Sequence, residues 1–215
     1  MNSSASISAR RDLPVGEDLA VVVLAGGAST RLGAFKPTVP FMGRPLIDHA
    51  LSIACRSSRN IYVLVNSTEQ GARIDQVANL RGARIILDHH ETGVFPNPLI
   101  RSVRQLNHNL IFLMGCDMPF LDHRLPYLLL GKMGRFGAAI PSWPNGFVEP
   151  LTALYRRSCF PSTTVLSLRE LVGVMGAVLI PVCELGLDRE SFFNINTRED
   201  LLMAEGMAQT RSIST

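Results

Sequence analysis

"VVVLAGGASTRLGAFKP", residues 21–37, joins a β-branched run to two adjacent glycines, an arginine and a Lys-Pro pair. The run from Ala20 to Leu24 is apolar at every position, which predicts a strand covered on both faces. A loop leaving such a strand at its carboxyl end is where an open α/β sheet binds ligands. Gly26 and Gly27 lack Cβ atoms, so a polyphosphate can approach their backbone N–H groups, and Arg31 and Lys36 supply positive charge. Two commoner phosphate motifs are absent from this stretch. Adjacent glycines do not make G-x-G-x-x-G, and no Gly-Lys pair stands at the P-loop offset. Lys36 precedes Pro37, which predicts that it reaches toward phosphates from an extended loop, not from a helix start.

Working outward, "IYVLV" (61–65), "RIIL" (84–87) and "LIFLM" (110–114) repeat the continuous apolar pattern of buried strands. Between them "PLIDHALSIACRSS" carries apolar residues at Leu46, Ala50 and Ala54 with Ile47 and Leu51 alongside, a helical face opened by Pro45 at the first helical position. "PLIRSVRQL" does the same through Leu99, Val103 and Leu106. Strands alternating with helices predict an α/β fold: a Rossmann-like three-layer sandwich with a mostly parallel central sheet. Beyond residue 135 the rhythm loosens. "GAAIP", "FVEPLTALY" and "AVLIPV" read as further strands, those around 137–155 as a small antiparallel addition, with helices near 162–172 and 197–206. The expected organisation is a flexible tail over residues 1–18 and a single domain over 19–210.

Of 215 residues, 47% are hydrophobic and 18% charged, a globular balance. A net charge of +3, from 21 basic and 18 acidic residues without a basic block, argues against nucleic acid as a partner. Cys55, Cys116, Cys159 and Cys183 form no C-x-x-C pair, which excludes a zinc or dithiol motif and reads as buried thiols in a reducing cytoplasm. His49, His89, His90, His108 and His123 show no metalloprotease spacing. Arg10-Arg11 raises a twin-arginine export signal, but Asp12, Pro14, Glu17 and Asp18 stand where its apolar region would begin. No apolar run approaches the roughly 18 residues that span a bilayer, so no membrane partner is expected and the location reads as cytoplasmic.

"LIFLMGCDMPFL" (110–121) delivers one acid, Asp117, just past the carboxyl end of a buried strand, with Pro119 ending regular structure. A carboxylate there faces the same cleft as the glycine loop. Magnesium uses oxygen ligands, commonly one or two carboxylates together with substrate phosphates and waters. A capping or solvated aspartate is the plainer alternative.

"LAGGASTRLGAFKP" (24–37) resembles the signature L-A-G-G-x-S-x-R-x-G-x-x-K-P of nucleotidyltransferases that couple a nucleoside triphosphate to a phosphorylated acceptor, and it matches every fixed position. "CDMP" (116–119) is similar to the C-D-x-P metal-binding motif of the same enzymes. Three further stretches, "KPTVPFMGRPLIDHAL" (36–51), "EPLTALY" (149–155) and "FFNINTREDLLMAE" (192–205), resemble the molybdenum cofactor guanylyltransferases. That resemblance implies GTP and molybdopterin as substrates, Mg2+ as cofactor, and handover of the product to other cofactor-biosynthesis proteins or molybdoenzymes. It implies Arg31, Lys36 and Asp117 as catalytic residues. Leu24, Ala25, Gly26 and Gly27 would meet the nucleotide through backbone, with Lys36, Asn66, Asp88 and Asp117 completing its site. Asp117 would hold the metal, and Asn194 and Asn196 would lie on the acceptor side.

Asn66 and Asp88 are also residue types that cap turns. "NIN" (194–196) can equally be a turn whose Thr197 caps the last helix, with Asp200 at a capping-box distance. One stretch departs from the family: where it has G-P-L-A-G, this chain has "NPLIR" (97–101), whose added bulk is expected to narrow or re-aim the acceptor side. The alternatives are a transferase using CTP or another acceptor, and a non-catalytic nucleotide-binding protein.

Overall fold

The structure, a computed structural model, describes residues 18–26, 32–88, 96–165 and 167–213. Gly27, Arg31 and His89-His90 lie outside the described residues, as does the tail up to Glu17. Asp18 does not belong to a tail: its carboxylate accepts from the backbone N–H of Asn109 at 2.9 Å and from its side-chain amide at 2.6 Å.

In chain order the elements are β1 (Leu19–Leu24), β2 (Pro40–Phe41), β3 (Arg44–Pro45), α1 (Leu46–Ser57), β4 (Asn60–Val65), α2 (Thr68–Leu80), β5 (Arg84–Leu87), α3 (Asn97–Arg104), β6 (Leu110–Gly115), α4 (Leu125–Met133), β7 (Ala138–Ser142), β8 (Leu154–Arg156), α5 (Leu168–Val174), β9 (Ala177–Pro181) and α6 (Arg198–Ile213). Seven strands form one sheet in the order β5-β4-β1-β6-β8-β7-β9. Every pairing is parallel except those of β8, which runs antiparallel to both β6 and β7. The expected antiparallel addition is therefore one reversed strand inside the sheet. Phe147 and its neighbours make a short turn, and Val148 bridges back to Ser142. A separate two-stranded hairpin, β2–β3, was not foreseen. Nor were α2 and α4, and Pro45 stands at the N-cap of α1, one residue before its expected place.

The continuous apolar runs do serve two faces. Leu19, Val21 and Val23 of β1 and Leu110, Phe112 and Met114 of β6 pack under α1, α2 and α4. Ala20, Val22, Ile111 and Leu113 pack on the other side against α3 and α5. A third cluster joins Phe41 of the hairpin to Ile195 and to Ala204 of α6. From β1 the chain moves outward through β4 and β5, then returns to lay β6 on the opposite flank of β1. That reversal opens a crevice at the carboxyl ends of β1 and β6.

The start of α6 is held reciprocally. Thr197 Oγ1 accepts from the Asp200 N–H at 3.1 Å, and Asp200 Oδ2 accepts from the N–H groups of Thr197 at 2.8 Å and Asn196 at 2.9 Å. Both expectations for "NIN" are thus compatible, since the cap fixes the backbone that carries Asn196. Asp200→Ala is expected to cost about 1 kcal/mol, the worth of a helix cap, read as a shift in the urea midpoint.

Several groups make stability depend on pH. Asp48, hydrogen-bonded to Arg81 and Arg44, and Asp122, hydrogen-bonded to Arg124, hold their carboxyls below the ordinary 3.8. Asp200 is held below it by the N–H of Asn196. Burial pushes His49 and His123 below the ordinary 6.5. In every case the folded chain binds its proton less readily than the unfolded one. Stability is complete above the unfolded value and falls as pH drops through the folded one. Denaturation midpoints should therefore be flat at pH 8, begin to fall below 6.5 as the histidines charge, and fall further below 3.8. A midpoint that rises between pH 7 and pH 5 would contradict this assignment.

Candidate active site

Leu24 and Ala25 end β1 beside the first residues after β6: Leu24 O accepts from the Cys116 N–H at 3.2 Å, and the Ala25 N–H donates to Leu64 O at 2.9 Å. Asp117 follows β6 by two residues. Its backbone oxygen accepts from the Ile195 N–H at 2.9 Å, which draws the segment before α6 across the crevice. Lys36 enters from the third side. Its Nζ donates to Asp117 Oδ2 at 2.8 Å and to Asn196 Oδ1 at 2.7 Å. Two residues, 81 and 160 positions from Lys36 along the chain, therefore meet at its ammonium group. Both charged side chains are 18% exposed, so the pair is shielded yet open on one side.

The expected extended path for Lys36 is corrected. Lys36–Thr38 forms a single 3-10 turn, with the Thr38 N–H donating to Phe35 O at 2.9 Å and the Val39 N–H to Lys36 O at 3.0 Å. Pro37 supplies neither of those donors, so its missing N–H costs the turn nothing. Its buried ring fixes the turn, whereas the bias against helical geometry before proline is only a preference.

Two glycines at the site let polar side chains rest against bare backbone. A Cβ on Gly26 would stand 1.9 Å from Asn66 Oδ1, so the Asn66 amide lies against the glycine backbone. A Cβ on Gly115 would stand 2.3 Å from Asp117 Oδ1, so the carboxylate folds back over its own strand end. Gly115 was missed in the sequence, although a glycine two residues before the acid in "MGCD" was the available signal. Gly115→Ala should swing the Asp117 carboxylate off Lys36. Its expected signature is metal-dependent turnover reduced at least tenfold, about 1.4 kcal/mol, with a thermal midpoint near that of the parent protein.

The remaining expected residues are placed less centrally. Asn66 directly follows β4, where its N–H donates to Gln70 Oε1 at 2.9 Å. Asp88 is buried just past β5, its N–H donating to Val65 O at 2.7 Å. The Asn194 side chain donates to Phe192 O at 3.1 Å. In the departing "NPLIR" stretch the bulk goes elsewhere than expected. Ile100 is buried in the core beneath the sheet and Arg101 is exposed, because the stretch is the first turn of α3. Asn97 clasps Val165, donating to its carbonyl at 2.8 Å and accepting from its N–H at 2.9 Å. Cys116 is buried, and burial pushes its thiol far above the ordinary 9.0, which removes it as a nucleophile. The other cysteines are not buried as expected; Cys183 is exposed.

Asp117 is suited to a hard cation. It is a lone carboxylate just past the end of β6, and among the described residues no group of three or more His, Cys, Asp or Glu forms a ready-made metal site. An ion held here would take its other ligands from phosphates and water, the habit of magnesium.

The family model for the MobA-like NTP transferase domain matches residues 21–177. This chain belongs to that family. The match begins in β1 and ends with the first residue of β9, so it spans the glycine loop, Lys36 and Asp117. A relative named as a probable molybdenum cofactor guanylyltransferase of Pyrococcus horikoshii is 30% identical over 196 residues, 85% of this chain and 97% of the relative. Another of that name from Pyrococcus furiosus is 31% identical over 190 residues, 83% and 92% of the two chains. Among solved structures, molybdopterin-guanine dinucleotide biosynthesis protein A from Archaeoglobus fulgidus superposes with a TM-score of 0.74 at 24% identity, covering 89% of this chain and 99% of that one. A 4-diphosphocytidyl-2C-methyl-D-erythritol synthase from Anaerococcus prevotii shares the fold at a TM-score of 0.65 and 12% identity, over 89% and 98%. The MobA-like domain is thus a nucleotidyltransferase fold throughout, its crevice built from the carboxyl ends of β1 and β6.

Proposed function

We propose that the protein transfers GMP from GTP to the terminal phosphate of molybdopterin, forming the guanine dinucleotide cofactor and releasing pyrophosphate. The observation that most supports this reading is the convergence of Lys36, Asp117 and Asn196 at the switch point of the sheet. An oxygen of the acceptor phosphate attacks the α-phosphorus of GTP. The bond from that phosphorus to the oxygen shared with the β-phosphate breaks, and pyrophosphate leaves with the electron pair. The second pKa of a phosphate monoester is about 6, so the attacking oxygen is already anionic near neutral pH and needs no general base.

The protein's work is then alignment and charge compensation. Backbone groups of Leu24, Ala25 and Gly26 receive the nucleotide, Asn66 and Asp88 lie on its flank, and Lys36 turns from Asp117 toward the phosphates. Gly27 and Arg31 extend this set on the strength of the signature. Asp117 would hold a divalent ion, taken to be Mg2+, which when bound neutralises phosphate charge. Asn196 would meet the acceptor, with Asn194 beside it. No described helix is long and apolar enough to cross a membrane, and the proposal places the reaction in the cytoplasm.

The test is pyrophosphate release with Mg2+ and each nucleoside triphosphate, with and without molybdopterin. GTP with molybdopterin should give the signal. Release with CTP alone among the nucleotides would reassign the base, and nucleotide binding without release under any condition would make the protein a binding module.

A further inference from the structure

A second concavity lies at the same edge of the sheet, at the carboxyl ends of β7 and β9. Its volume is about 500 Å³, and Ser142, Trp143, Cys183 and Arg189 are among its lining residues. Volumes of this size suit small ligands. Trp143, the only tryptophan in the chain, opens a tight turn: its N–H donates to Phe147 O at 2.8 Å and the Gly146 N–H returns to its carbonyl at 2.9 Å. The indole is held as well as placed. Nε1 donates to Glu149 Oε1 at 2.8 Å, and the ring meets Phe192 edge-on, with centroids 5.6 Å apart.

Among the described residues, Arg189 is the one charged residue lining this concavity. Of the acids near it in sequence, Glu184 and Glu190 are engaged by Lys132 at 3.1 Å and by Arg211 at 3.0 Å, and Asp188 is exposed. Arg189 itself is exposed and makes no hydrogen bond or ion pair among the described residues. A fixed aromatic ring with an unspent guanidinium beside it suits a flat ring system that carries negative charge.

Phe192 links this concavity to the reaction site. It packs on Trp143, and the chain then runs through Asn194 to Asn196, which touches Lys36. Across the sheet, β6 and β7 are separated only by β8. Two strand spacings are roughly 10 Å. A phosphate near Lys36 and a fused ring at Trp143 can therefore belong to one molecule lying along the sheet edge. We infer that the Trp143–Arg189 concavity binds the fused-ring end of the acceptor, with Trp143 as the stacking surface and Arg189 as the counter-charge. The choice of ligand rests on the transfer reaction proposed above.

The experiment uses the whole chain labelled with 15N at its single indole. The probe is 6-carboxypterin, a fused ring bearing a carboxylate, added without nucleotide. The Trp143 indole resonance should shift saturably. By calorimetry, which does not depend on the indole, Arg189→Gln and Trp143→Leu should each weaken probe binding about tenfold, the loss of one stacking or cation contact. Trp143→Phe should recover most of the affinity, and GTP affinity should stay unchanged in all three. An indole resonance that does not move at millimolar probe, or an Arg189→Gln protein that binds the probe as the parent does, overturns the inference. The two readings fail separately. If the parent protein transfers GMP but both variants keep the parent KM for the acceptor, the concavity is not the acceptor site and the transfer reaction stands. If no acceptor yields pyrophosphate yet the probe moves the indole and Arg189→Gln weakens it, the ring site stands and the reaction must be reassigned.

Discussion

Lys36→Met is expected to lower kcat for pyrophosphate release about 10²–10³-fold, the usual loss when one preorganised charge is withdrawn from a transferring group. The methionine keeps the length of the stem, so the 3-10 turn at Lys36–Thr38 and its hydrogen bonds stay in place. A second effect runs in the opposite direction. In the folded chain the ammonium already sits on Asp117 Oδ2 at 2.8 Å, where it competes with any cation for that carboxylate. Removing it should tighten binding of Mn2+ in the absence of nucleotide by a few-fold, the size of a partly screened pair of about 1 kcal/mol. Electron paramagnetic resonance of free Mn2+ measures this directly. Lys36→Met with parent turnover would take the lysine out of the mechanism. Unchanged Mn2+ affinity would mean that the ion is held by other groups.

Asp117→Asn should remove metal-dependent turnover by at least 10³-fold, because the amide presents one neutral oxygen where a hard cation needs a carboxylate. The fold should persist. An asparagine oxygen can still accept from Lys36, and the backbone bond from Ile195 to the carbonyl of residue 117 does not involve the side chain. GTP binding without metal should hold or improve, since a negative charge has left the neighbourhood of the phosphates. The paired measurements are a magnesium titration of pyrophosphate release and calorimetric GTP binding in chelator. Turnover that still rises with magnesium in this variant would place the ion elsewhere.

These two substitutions separate functions that the ligand-free chain holds together. Lys36 and Asp117 pair at 2.8 Å, and the proposed reaction assigns each to a different part of a metal–nucleotide complex. The pair is self-compensating. It lets two opposite charges, both mostly shielded from water, wait without an uncompensated burial cost.

Much of the local structure was legible in the residues. Continuous apolar runs at Ala20–Leu24, Ile61–Val65 and Leu110–Met114 require cover on both sides, and helices on both faces of a parallel sheet provide it. The signature in residues 24–37 and the acid at 117 marked chemistry because each places a charge or a bare backbone at a strand end. The cap on α6 was readable from Thr197 and Asp200, since capping depends on a spacing of three residues.

Tertiary structure alone decided the rest, because the remaining features depend on which distant segments become neighbours. An antiparallel piece was expected near 137–155, but nothing in "ALYRR" indicates that β8 enters the sheet between β6 and β7. That place is set by its partners, and strand order has no local residue code. The bulk of Ile100 looked like an obstruction in the cleft, yet the phase of α3 turns it into the core. Lys36 was expected on phosphates, and only the folded chain pairs it with Asp117 and Asn196, residues whose separation in sequence carries no information about distance in space. The use of glycine at positions 26 and 115 becomes visible in the same way, from an amide and a carboxylate that rest where a side chain would otherwise stand.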